Sequence, residues 1–231
     1  LGPFLHSLFQ ASKLIKILGG GSITDSAKLI SFIIANDLTN KNDLDFLDQN
    51  LHPKRTALNP SKVSIVCIPT TLYGGEYSKL AVVVDPRYGI RKTFGDPSLI
   101  PDVVILDPVL AKSTPEWLWT SSGVRAIDHC VETLCRLGQP DEKVDDDAKK
   151  ALSSLASGLL QSKEHPEDLE IRLETQLAAN VAMDGTPYHW LYFPDDAWSI
   201  KLILHSFMSR HRIWRVSCDK HPNWPAWGTS W

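Results

Sequence analysis

Gly19-Gly20-Gly21-Ser22-Ile23-Thr24-Asp25-Ser26-Ala27-Lys28 is the stretch that decides how this 231-residue chain is read. Three consecutive glycines leave backbone N–H groups unobstructed. They stand between an apolar run (Leu14, Ile15, Ile17, Leu18) and an amphipathic segment that reaches about Asp37. That order predicts a strand, a tight loop and the start of a helix. Ser22 is expected to cap the helix, with Asp25 three residues on closing a capping box. A helix N-terminus held behind such a loop attracts anions, so the ligand it predicts is a phosphate.

A second segment repeats the theme. Val63-Ser64-Ile65-Val66-Cys67-Ile68 reads as a buried strand running into Pro69-Thr70-Thr71-Leu72-Tyr73-Gly74-Gly75-Glu76, a turn rich in hydroxyls and glycine. Two strand ends with phosphate-friendly loops are what a ligand lying across the carboxyl edge of a parallel sheet requires. The fold class read from this pattern is α/β.

Further along, residues 38–62 form a polar connection, Leu80–Val84 reads as a strand, Asp85–Gly89 as a turn, and Val103–Leu106 as a strand stopped by Asp107-Pro108. From Pro115 the pattern becomes helical, over Trp117–Leu137, Asp145–Leu160 and Pro166–Met183. The expected organisation is a partial α/β domain over residues 1–111, a partial helical domain over 112–185, and a tail, 186–231, of different character. The acidic stretch Asp141–Asp147 reads as a solvated linker and helix start.

Composition narrows the classes of function. With 43% hydrophobic residues and a net charge of −3 of mixed sign, the chain has a globular composition and no basic field for nucleic acid or anionic membrane. No apolar run approaches the roughly 20 residues that span a bilayer. The expected partners are small molecules. Cys67, Cys130, Cys135 and Cys218 lack paired metal-type spacing and read as free thiols of a reducing, cytoplasmic compartment. The opening Leu1-Gly2-Pro3-Phe4 has neither an initiating methionine nor a basic region, and reads as a truncated edge.

Four motifs in order, GGGSITDSAK, IPTTLYGGEYS, IPDVVILDPVLAKSTPEW and SSGVRAIDHCVETLC, resemble the iron-type alcohol dehydrogenase superfamily and, within it, the maleylacetate reductase-like branch. The likeness runs from about residue 14 to residue 185. It implies a parallel-sheet dinucleotide-binding domain followed by an all-helical domain, incomplete here at both ends, with NAD or NADP and the substrate in the cleft between them. Gly19, Gly20, Gly21 and Ser22 would hold the pyrophosphate, Asp25 would lie near the nicotinamide end, and Thr70 and Thr71 would contact the cofactor. The likeness also leaves a homodimer open.

Metal-dependent members of that superfamily direct an aspartate and a histidine, four residues apart on one helical face, at a divalent iron or zinc. Here Arg125 takes the aspartate's place. His129 remains as a ligand candidate, and Asp128 lies about 100° round the helix from it. A guanidinium repels a cation, which implies a metal-independent reductase whose Arg125 grips a substrate carboxylate, with His129 in a polar catalytic role. A salt bridge for Arg125, and for His129 a neighbour such as Glu132, are the structural alternatives.

The likeness ends after Gly185, and six of the eight tryptophans fall within residues 190–231. Tryptophan has the single codon TGG, so a one-nucleotide forward shift forces glycine at Trp214, Trp224, Trp227 and Trp231. Between them the permitted codons can spell a histidine-bearing helix of the superfamily. The expectation is a frame slip or retained intron, leaving residues 186–231 without an evolved fold. His189, His205, His211 and His221 are then not ligands. Two functions stay open, a carbonyl-reducing or alcohol-oxidising dehydrogenase and a catalytically inactive nucleotide-binding fragment.

Overall fold

The structure is a computed structural model in which residues 13–38, 45, 58–85, 88–136 and 141–184 are described. The expected tail over 186–231 and most of the polar connection over 38–62 lie outside the described residues. The strands are β1 (Leu14–Gly19), β2 (Ser64–Pro69), β3 (Leu80–Asp85), β4 (Ile90–Gly95) and β5 (Val103–Val104). The helices are α1 (Gly21–Ala35), α2 (Pro108–Lys112), α3 (Glu116–Leu134), α4 (Glu142–Glu164) and α5 (Leu169–Asp184).

A parallel sheet of order β1-β2-β5 forms the α/β half. The register pairs Leu14 with Ser64 and Gly19 with Pro69, so both loops leave the sheet at the same edge. β5 is anchored beside β2 by Asp102, whose carboxylate accepts from the Ile65 N–H at 2.8 Å while its own N–H donates to the Ile65 carbonyl at 2.9 Å. β3 stays out of this sheet and pairs antiparallel with β4, a strand absent from the sequence reading. The turn between them explains the pairing, since Gly89 takes a positive φ of 66° and donates to the Asp85 carbonyl at 2.8 Å.

α1 lies between sheet and hairpin and is apolar on two sides for that reason. Towards the sheet, Ala27 packs with Ile17, Ile65 and Cys67. Towards the hairpin, Leu29 and Phe32 pack with Ala81, Phe94 and Leu99. Phe32 is fully buried, a contribution of about 1.5–3 kcal/mol.

The second half is a bundle of α3, α4 and α5 around Trp119, Val124, Leu155 and Leu159. Small residues let its helices approach closely, among them Ala126, Ala151, Ala178, Ala179 and Ala182. A Cβ added to Gly123 would fall 2.5 Å from Leu159 Cδ2 and 3.0 Å from Leu72 Cδ1. Leu72 belongs to the loop after β2, and through it the bundle core reaches the sheet edge. Among the described residues no helix is long and apolar enough to cross a membrane.

Candidate functional site

The two loops predicted from sequence meet at the carboxyl edge of the sheet. The Thr70 N–H donates to the Gly19 carbonyl at 3.0 Å, extending the β1–β2 ladder into the loops. Gly19 has φ +148°, which only glycine adopts without strain. A Cβ on Gly20 would lie 2.8 Å from Thr71 Cγ2, and one on Gly21 would run into Tyr73 Cδ1. The glycines therefore do two things. They turn the chain, and they let the second loop settle on the first.

The capping box expected at Ser22 and Asp25 is not formed. Gly20 is the N-cap, α1 begins at Gly21, and no side chain caps it. Three glycines allow the helical turn to start before Ser22 is reached, which carries Ser22 and Asp25 into the helix. Ser22 is exposed. No acidic residue stands in the first turn, so the leading N–H groups and the positive end of the helix dipole stay available to an anion. These backbone groups, rather than a serine cap, are the donors an anion at this helix end would meet.

Asp25 is turned inward. It is buried one turn before the fully buried Lys28, and its carboxyl accepts from the Val82 N–H. Burial pushes the Asp25 carboxyl up to about 6, against the opposing pull of Lys28 and the Val82 bond. Glu76, in the second loop, is buried beside the same pair and is pushed up to about 7, again chiefly by burial. Burial lowers Lys28, which both carboxyls counteract. Sequence reasoning singles out neither Lys28 nor Glu76. The usable signal is Asp25 with Lys28, charges three residues apart on one face of an otherwise apolar helix.

Three side chains from the helical half hold the second loop from the other side. Thr114 Oγ1 donates to the Thr70 carbonyl at 2.7 Å, Ser122 Oγ accepts from the Leu72 N–H at 3.0 Å, and Gln176 Nε2 donates to the Pro69 carbonyl at 3.1 Å. Thr71 is buried and Thr70 is half-buried. Gly74, at φ +77°, meets α5, where an added Cβ would fall 2.6 Å from Met183 Cγ. Sequence reasoning misses Thr114, Ser122 and Gln176 because each is local to its own helix and finds its partner 44 to 107 residues away.

Arg125 and His129 lie on α3, whose Ser122 holds the second loop. Arg125 Nη1 is 3.1 Å from Asp128 Oδ2; burial, and next to it Asp25, raise the Tyr73 phenol, and the Arg125 guanidinium is among the charges that oppose this. It is therefore within electrostatic reach of the ring that lies on Gly21. His129 is 3% exposed, with Nδ1 3.3 Å from Glu132 Oε2. Burial lowers its pKa, so the imidazole is neutral near pH 7. Both structural alternatives raised by the sequence, a salt bridge for Arg125 and a Glu132 partner for His129, are present. Among the described residues no three His, Cys, Asp or Glu side chains are grouped to hold a metal ion. With a guanidinium beside His129, the described donors do not fit iron or zinc.

Residues 12–108 match the family model of the iron-containing alcohol dehydrogenases. The dehydrogenase ALT3 of Alternaria alternata is 35% identical over 178 residues, which is 71% of this chain and 46% of that protein. A maleylacetate reductase of Pseudomonas sp. strain P51 is 31% identical over 119 residues, 52% of this chain and 33% of its own length. Among solved structures, the sulfoacetaldehyde reductase of Bifidobacterium kashiwanohense in complex with NAD+ superposes with a TM-score of 0.67 at 22% identity. That match covers 79% of this chain and 47% of that one. The chain spans less than half the length of the first curated relatives it matches.

Proposed function

We propose that the chain, whose residues 12–108 match the family model of the iron-containing alcohol dehydrogenases, is an NAD(P)H-dependent oxidoreductase acting on CH–OH and carbonyl groups. The observation that carries the reading is the junction of the two loops. An uncapped helix end behind three glycines faces a threonine turn across a 3.0 Å backbone hydrogen bond, at the carboxyl edge of a parallel sheet.

In this reading the N–H groups at Gly20, Gly21 and Ser22 bind the pyrophosphate, and Thr70 and Thr71 contact the nucleotide from the facing loop. Asp25 lies beneath the nicotinamide end. A nicotinamide dinucleotide held there would supply the hydride for a polarised carbonyl. The chain's own contribution is to bind and orient. Arg125 presents a fixed positive charge towards the cleft and suits a substrate carboxylate, as in maleylacetate-like acids. The proton for the new hydroxyl comes from water or a protein acid. His129, neutral and held by Glu132, backs the Arg125 turn of α3, and no metal enters the scheme.

A second reading has its own observation. The Arg125–Asp128 and His129–Glu132 pairs already occupy the two polar side chains that α3 offers to a reaction, which favours a nucleotide-binding protein without turnover. Fluorescence titration with NADH tests binding, and oxidation of NADH with maleylacetate or an aldehyde tests turnover. Binding with turnover supports the dehydrogenase, binding alone supports the fragment, and no binding by folded protein removes both.

A further inference from the structure

Lys28 is a costly residue to find where it is. It is 0% exposed on a helix whose neighbours are Ala27, Leu29 and Phe32. A lone buried ammonium is strongly penalised unless its donors are matched. Here all three are. Lys28 Nζ donates to the carbonyl of Gly75, to that of Ser78 at 2.5 Å and to that of Leu80 at 3.1 Å. One turn earlier on the same face, Asp25 accepts from the Val82 N–H. One side of α1 therefore grips the backbone from Gly75 to Val82, with three donors and one acceptor. Ordinary packing does not need this, because Leu29 and Phe32 already fix α1 against the hairpin.

The gripped segment is the continuation of the second loop. It starts immediately after Gly74, and Tyr73, which precedes Gly74, lies on Gly21. Both loops are thereby referred to one element, the first by leading directly into α1 and the second by hanging from Lys28. We propose that Lys28 is a positioning residue for the nucleotide cradle, setting the height of the Thr70–Gly75 loop over the Gly19–Gly21 loop so that both close on one dinucleotide. The inference rests on the nucleotide-binding reading above and adds to it the part that fixes the spacing of the two loops.

Lys28→Met keeps the length and apolar stem of the side chain and removes all three donors. NADH is titrated into wild type and variant well below the variant's melting midpoint, where a side chain that only stabilises the fold leaves Kd unchanged. A rise of at least tenfold in Kd with a native circular dichroism spectrum supports the assignment, and an unchanged Kd overturns it. If wild type itself binds no NADH, the nucleotide reading fails, and with it the assignment. Should the variant not fold, hydrogen exchange on wild type decides. NADH is then expected to protect the 74–82 amides together with the 19–28 amides, and protection of 19–28 alone would overturn the coupling.

Discussion

Thr70 gives its N–H to the carbonyl of Gly19 at 3.0 Å, the last rung of a parallel ladder and the first contact between two loops. That rung makes the glycine loop and the threonine turn one site.

Gly20→Asp tests the cradle directly. Its Cβ would meet Thr71 Cγ2 at 2.8 Å, and its carboxylate would face the backbone donors proposed for the pyrophosphate. NADH binding is expected to vanish in fluorescence titration, while calorimetry registers a loss of about 1–3 kcal/mol from overpacking. Undiminished affinity would remove the pyrophosphate role.

For Arg125, the informative comparison is between two substrates. Arg125→Met is expected to raise KM for a carboxylate-bearing carbonyl by about ten- to a hundredfold, the scale of one charge-assisted contact, and to leave KM for a neutral aldehyde within about twofold. Equal losses on both substrates would make the Arg125–Asp128 pair structural.

The buried carboxyls give a pH dependence of definite sign. Asp25 at about 6 and Glu76 at about 7 hold protons in the folded chain at pH values where the unfolded chain has released them. Their contribution to stability therefore falls as pH rises from about 4 to 7. Asp25→Asn removes one of the two, and its melting temperature is expected to decline less than that of wild type across this range. Parallel melting curves for the two proteins would contradict the raised carboxyl.

The clamp from the helical half is open to a paired substitution. Ser122→Ala leaves the Leu72 N–H without its acceptor, and Gln176→Leu leaves the Pro69 carbonyl without its donor. Each is expected to cost about 1–3 kcal/mol in denaturant unfolding. Because both act on one turn, the double variant should lose less than the sum of the single variants. Strict additivity would indicate that the two contacts are independent.

The parts of the molecule legible in sequence are those with local causes. Apolar runs mark β1 and β2, the glycines mark the loop, and the 3.6-residue period marks α3, α4 and α5 within a few residues. β4 escapes because Ile90-Arg91-Lys92-Thr93-Phe94-Gly95 carries only two large apolar residues, and Lys92 is buried by pairing with Asp85 at 3.0 Å, a partner on the facing strand. The cap is misread because Ser22 and Asp25 have the spacing of a capping box, whereas the backbone freedom of the glycines moves the helix start upstream. Glu76, Thr114, Ser122 and Gln176 are invisible for a different reason. Each becomes meaningful only once distant segments meet.

Pro69–Leu72 is held by β1 on one side and by Thr114, Ser122 and Gln176 on the other, so this short turn is tied to both halves of the described structure. Any displacement of one half against the other loads it directly, and the strain would fall either on the Thr70–Gly19 bond or on the three side-chain bonds that face it.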